Sequence, residues 1–154
     1  MKVKDVMTTS VRTCFISDSL AKAAQLMWDH DCGCVPVLNE QGRVAGMLTD
    51  RDICMAALFQ GVPISGVKVS ALMSKQLFDC TSDDDLSAAE AIMREKKVRR
   101  LPVLNEEGRL VGLLSLSDIA RQADEDCARG AANRYVTDAE VARLAADISK
   151  RRRD

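Results

Sequence analysis

Residues 35–53 read VPVLNEQGRVAGMLTDRDI, and residues 101–119 read LPVLNEEGRLVGLLSLSDI. Eleven of these nineteen aligned positions are identical at a constant offset of 66 residues, and half of the rest are apolar exchanges such as Val44/Leu110 and Met47/Leu113. The register continues upstream without a gap: Val6-Met7 matches Leu72-Met73, Cys14 matches Cys80, and Asp18 matches Asp84. A repeat of this length predicts two copies of one supersecondary unit, each too small to bury its own core. The copies are therefore expected to pack together, which makes the cleft between them the expected functional place.

Within one copy the pattern alternates between strand and helix. A short extended piece is expected at Val11–Phe15, with its counterpart at Gln76–Thr81. Ser17, Asp18 and Ser19, and Ser82 with Asp83–Asp85 in the second copy, offer helix caps. Leu20, Ala23, Ala24, Met27 and Trp28 then recur at helical spacing, as do Leu86, Ala89, Ile92 and Met93. Cys34–Leu38 is an apolar strand, Asn39–Gly42 a reversing turn, and Val44–Leu48 a second strand. Thr49-Asp50 caps a helix running from about Arg51 to Phe59. The fold class is thus α/β (α+β), with two pseudo-twofold-related β-α-β-β-α units packed as one module plus a C-terminal helix. The first unit is expected over 1–60, a linker marked by Gly61, Pro63 and Gly66 over 61–70, the second unit over 71–124, and an extension over 125–154. In the extension, Thr137-Asp138-Ala139-Glu140 is a capping box. It opens a helix with Val141, Leu144, Ala145 and Ile148 on one face, expected to pack on the module or on a second subunit.

Composition narrows the class further. Apolar residues make up 47% and aromatic residues 3% of the 154, so the core is aliphatic. Net charge is −1, which argues against bulk electrostatic binding to nucleic acid. The run Lys150-Arg151-Arg152-Arg153 reads as a solvated basic tail. No apolar run resembles a signal peptide or a membrane span. The expected location is the cytoplasm, where the six cysteines stay reduced and act as small apolar fillers.

Together the Val-Met openings (Asp5-Val6-Met7, Ala71-Leu72-Met73), the Pro-Val strands, the Gly turns and the doubled Gly-x-x-Thr/Ser-x-x-Asp-Ile resemble a tandem cystathionine-β-synthase (CBS) domain pair, or Bateman module. The chain is similar to stand-alone bacterial CBS-pair proteins, and the resemblance covers roughly residues 3–122. It implies a non-catalytic sensor that binds adenine nucleotides (AMP, ADP, ATP) or relatives such as NAD or S-adenosylmethionine, with no cofactor required. By that resemblance, Asp52 and Asp118 hold ribose hydroxyls, and Thr49 and Ser115 lie beside phosphate. A carboxylate accepts from both vicinal hydroxyls, and a helix start with a hydroxyl suits phosphate. Arg51 adds a charge-assisted phosphate contact at the first site, whereas Ser117 offers only a hydroxyl at the second, so the sites are expected to be unequal. Family sites are composite. Asp118 is thereby expected to face Cys32-Gly33-Cys34, and Asp52 to face Val98-Arg99-Arg100, with Arg99 and Arg100 within reach of phosphates. Where many family members carry Ser-Pro, this chain has Phe15-Ile16 and Thr81-Ser82. Phe15 either stacks on a base or blocks a site. The resemblance also implies a homodimer formed through helices and a regulated protein partner, with no nucleic acid and no membrane.

Plainer readings stand beside these. Asp52 and Asp118 also fit a first-turn capping role, and Arg99-Arg100 a solvated pair. If both lie in a strand, Cys32 and Cys34 point to one side, but a lone Cys-x-Cys lacks the second pair of a structural zinc site. His30 reads as an exposed residue near a helix end, and Trp28 as core or dimer contact. No nucleophile with an adjacent base, no paired acid and base and no P-loop is present, so an enzyme is not expected. The alternatives are a dimeric interaction module with empty sites, and a thiol- or metal-responsive sensor using Cys14, Cys32, Cys34 or Cys80.

Overall fold

A computed structural model of the chain describes residues 1–59, 61–128 and 136–150. The first copy runs β1 (Cys14–Phe15), α1 (Leu20–Asp29), β2 (Cys34–Leu38), β3 (Val44–Thr49) and α2 (Asp50–Phe59). The second runs β4 (Cys80–Thr81), α3 (Leu86–Lys96), β5 (Arg100–Leu104), β6 (Leu110–Ser115) and α4 (Leu116–Ala128), and α5 (Asp138–Ser149) follows. The α/β repeat is therefore as expected. The first strands are shorter than Val11–Phe15 and Gln76–Thr81, because only two residues of each find a ladder partner. Cys14 pairs in parallel with Val37 and Phe15 with Leu38, as Cys80 does with Val103 and Thr81 with Leu104. β2 and β3, and β5 and β6, then pair antiparallel around the Asn-Glu-x-Gly turn. In both turns the asparagine side chain fixes the reversal: Asn39 Oδ1 accepts from the amides of Gln41 and Arg43, and Asn105 Oδ1 from those of Glu107 and Arg109.

The capping residues differ between copies. Ser19 caps α1 by accepting from the Lys22 amide at 3.2 Å. Asp85 occupies the same position for α3 without a capping bond, its carboxylate pairing instead with Lys2 Nζ at 2.9 Å. Asp18 and Asp84 play identical roles, accepting from the amides of Phe15 and Thr81 at 2.8 and 2.7 Å.

The chain divides into two compact units, one of residues 10–77, the other of residues 1–9 together with the chain from 78 onward. Each unit is completed by the opening segment of the other repeat. Val3 and Lys4 donate to the carbonyls of Asp84 and Ser82, both at 3.0 Å, and Thr8 pairs with Leu113 beside β6. In the other unit, Val69 and Ser70 donate to Asp18 and Ile16, and Ser74 pairs with Met47 beside β3. Val3 and Val69 are each 0% exposed. The glycines of the motif make this approach possible: a Cβ on Gly46 would collide with the Ser74 carbonyl oxygen, and one on Gly112 with the Met7 sulfur. The stretch 61–70, expected as a linker, is structural in its second half. Val67 and Val69 are buried, and the Val67 carbonyl accepts from the Leu20 amide at 2.8 Å.

The C-terminal helix forms with the predicted capping box: Thr137 Oγ1 accepts from the Glu140 amide, and Glu140 reaches back to the Thr137 amide at 2.9 Å. Leu144 and Ile148 are buried, and α5 packs on α3 and α4. Residues 151–153 of the basic tail lie outside the described residues, whereas Lys150 pairs with Asp147. Among the described residues no helix is long and apolar enough to cross a membrane.

Candidate functional site

Each Thr/Ser-x-x-Asp motif sits where the last strand of a copy turns directly into its second helix. In the first copy, Thr49 is the final residue of β3 and Asp52 lies in the first turn of α2. Asp52 Oδ2 accepts from the Thr49 amide at 2.9 Å and from its hydroxyl at 2.6 Å, while the Asp52 amide donates back to Thr49 Oγ1 at 3.2 Å. This is reciprocal capping with an aspartate in the usual glutamate position. Ser115 and Asp118 repeat it, with the Ser115 amide and hydroxyl 2.8 and 2.5 Å from Asp118 Oδ2. The capping reading of both aspartates is thus realised.

The second carboxylate oxygens separate the copies. Asp118 Oδ1 accepts from Thr8 Oγ1 at 3.0 Å and from Arg121, and the residue is only 6% exposed. Asp52 is half-buried, and its Oδ1 has no hydrogen-bond partner among the described residues. Position 55, the counterpart of Arg121, is methionine. Ser74, the counterpart of Thr8, gives its hydroxyl to the Gln76 carbonyl at 3.0 Å. Arg51 and Ser117 are both exposed beside their aspartates. Thr8 and Arg121 were not among the residues expected from sequence. Arg121 was readable as a partner three residues from Asp118 on a helix, whereas Thr8 is 110 residues away.

The strand entrances lie within each unit as follows. The Gly33 carbonyl accepts from the Asp50 amide at 3.2 Å, and a Cβ on Gly33 would stand 3.0 Å from the Asp50 carboxylate. The Arg99 carbonyl accepts from the Leu116 amide at 3.0 Å. Arg99 is exposed, whereas Val98 and Arg100 are half-buried, Arg100 starting β5. Cys34 begins β2, but Cys32 lies before the strand, so the two do not share a strand face. Among the described residues no three His, Cys, Asp or Glu side chains are grouped to hold a metal. Among the described residues no disulfide joins any two of the six cysteines. Burial pushes the Cys14 thiol up to about 11 and the Cys80 thiol up to about 12, with Asp18 and Asp84 adding to it. His30 caps the C-terminal end of α1 and is exposed. Trp28, read as core or dimer contact, is 85% exposed and is not core.

A doubled βαββα unit whose second helix starts on Thr/Ser-x-x-Asp in both copies defines a tandem-repeat α/β module. The chain belongs to the CBS domain family, whose pattern matches residues 3–58 and again 69–125. It is 40% identical over 118 residues to the CBS domain-containing protein YhcV of Bacillus subtilis, covering 77% of this chain and 82% of that protein. It is 34% identical over 122 residues to Hypoxic response protein 1 of Mycobacterium tuberculosis, covering 79% and 85%. The crystal structure of Hypoxic Response Protein I with two coordinated zinc ions superposes with a TM-score of 0.71 at 33% identity, over 79% of this chain and 98% of that one. CBSX2 in complex with AMP gives a TM-score of 0.69 at 25% identity, over 80% and 96%.

Proposed function

We propose that this chain is a non-catalytic regulatory module that binds an adenine nucleotide or adenosyl compound, of the class AMP, ADP, ATP, NAD or S-adenosylmethionine. The observation that carries this reading is the Thr49-x-x-Asp52 helix start, where capping holds one carboxylate oxygen in place and the other accepts nothing among the described residues. A fixed carboxylate with a spare oxygen suits vicinal ribose hydroxyls. The neighbouring hydroxyl, the helix N-terminus and the exposed Arg51 suit phosphate. The AMP complex of the related CBSX2 supports the ligand class. Asp118 carries the second motif, but a ligand there displaces Thr8 or Arg121, so the Asp52 motif binds more tightly. Signalling follows when the ligand binds two states of the protein unequally.

The test is isothermal titration of the reduced protein with AMP, ADP, ATP, NAD and S-adenosylmethionine, repeated on Asp52→Ala and Asp118→Ala. Saturable heat, with the tighter event lost in Asp52→Ala, is the expected outcome. No heat with any of the five, or heat indifferent to both substitutions, refutes the reading and favours the interaction-module alternative.

A further inference from the structure

The two repeats build one helix groove with rims of opposite charge. In the second copy, α5 packs on α3 and α4. Leu144 and Ile148 join the apolar cluster that holds Met93 and Ile119, Arg94 Nε donates to Asp147 Oδ2 at 3.1 Å, and Lys97 Nζ donates to the Asp147 carbonyl at 2.6 Å. That groove takes an amphipathic helix by two apolar anchors and one acidic residue set against a cationic rim. Sixty-six residues earlier the apolar floor is kept and the rim is inverted. Met27 and Ile53 stand for Met93 and Ile119, whereas Trp28 and Asp31 stand for Arg94 and Lys97. The backbone is alike, since Asp31 and Lys97 lie just past their helices with φ of 48° and 56°. The first groove holds an open cleft of about 310 Å³, floored by Met27 and Ile53 and edged by Trp28, Asp31, Asp50 and Cys54. No lysine or arginine lines it, and the Asp31 carboxylate has no partner among the described residues. The last turn of α1 has no basic residue, where α3 has Arg94 and Lys96. Asp31 therefore adds negative charge to the negative end of the α1 dipole, which a docked cation offsets.

We infer that the α1–α2 groove docks an amphipathic helix of a different protein, one that presents lysine or arginine where α5 presents Asp147. Its apolar anchors settle on Met27 and Ile53 as Leu144 and Ile148 settle on the counterparts of those residues. Its cation lies between the Asp31 carboxylate and the exposed face of Trp28, which attracts a cation through the ring quadrupole. The same rim turns away an acidic helix such as α5 itself, whose Asp147 is received elsewhere by Arg94 and Lys97. The surface uses none of Thr49, Arg51 and Asp52, so it stands apart from the nucleotide reading.

The probe is a synthetic helix of residues 137–150 of this chain, held by a covalent staple between the exposed positions 142 and 146, in a parent and an Asp147→Lys form. The staple lowers the entropy cost of ordering so short a helix. Emission from Trp28, the one tryptophan of the chain, is the readout, and neither probe contains tryptophan. Added to the full chain, the Asp147→Lys helix is expected to shift that emission saturably to shorter wavelength, and the parent helix to bind about tenfold more weakly. Asp31→Asn, at an exposed position where asparagine tolerates positive φ, is expected to abolish the preference, and Asp31→Lys to reverse it. Far-ultraviolet circular dichroism matching the wild type confirms that both variants are folded. No saturable shift with the Asp147→Lys helix, equal binding of the two forms, or a preference unchanged in both Asp31 variants overturns the proposal. So does an emission that changes on dilution of the chain alone while both probes leave it unaltered, because that outcome assigns the face to a second copy.

Discussion

Replacing Asp118 by alanine removes the acceptor for four donors at once: the Ser115 amide, the Ser115 hydroxyl, Thr8 Oγ1 and Arg121. The same change at Asp52 removes only the Thr49 amide and hydroxyl bonds. Loss of a capping interaction costs about 1 kcal/mol, and that much is common to both sites. The Thr8 bond adds roughly 0.5–1.5 kcal/mol, kept low because Thr8 is exposed and recovers water. The Arg121 pair, with a guanidinium 60% exposed, adds at most about 1 kcal/mol. Asp118→Ala is therefore expected to cost about 1.5–3.5 kcal/mol and Asp52→Ala about 1 kcal/mol. With a urea m-value of roughly 2 kcal/mol/M, the difference of about 0.5–2.5 kcal/mol separates the midpoints of the two variants by about 0.3–1.3 M. The assay is urea unfolding of both variants, with Thr8→Ala and the Thr8→Ala/Asp118→Ala pair closing a double-mutant cycle. Equal losses at Asp52 and Asp118, or no coupling between Thr8 and Asp118, refute the claim that the second carboxylate is held structurally while the first is open.

Two further outcomes follow from the packing. Gly46→Ala places a methyl group on the Ser74 carbonyl and is expected to cost about 1–3 kcal/mol by overpacking; a thermal melt within a degree of wild type contradicts this close approach. The raised Cys14 and Cys80 thiols make stability level below their ordinary value of 9.0. Stability then falls as pH climbs toward about 11 and 12, because only the unfolded chain ionises them in that window. Urea midpoints at pH 8 and pH 10 measure it, and Cys14→Ala/Cys80→Ala should flatten the decline. In the native state, exposed Cys54 and Cys127 are expected to react with a thiol reagent well before Cys14 and Cys80; equal rates would place the buried pair at the surface.

What the sequence determined by itself is local and periodic. The 66-residue offset specified two equivalent units, because identical patterns of strand, turn and helix impose the same backbone twice. The Asn-Glu-x-Gly turns, the Ser19 and Thr137 caps and the Thr/Ser-x-x-Asp helix starts were legible because their partners lie two to four residues away. Tertiary structure alone decided three things. It sent Val3 and Val69 into the core of the other repeat's unit, a pairing that no local signal encodes. It surrounded Asp118 with Thr8 and Arg121 while leaving Asp52 a spare oxygen, although the two motifs read alike. It also laid α5 over one helix face and left Trp28 on the other exposed. Periodicity shows which side of a helix is apolar, but what covers that side depends on residues distant in the chain, and those meet only once the fold is assembled.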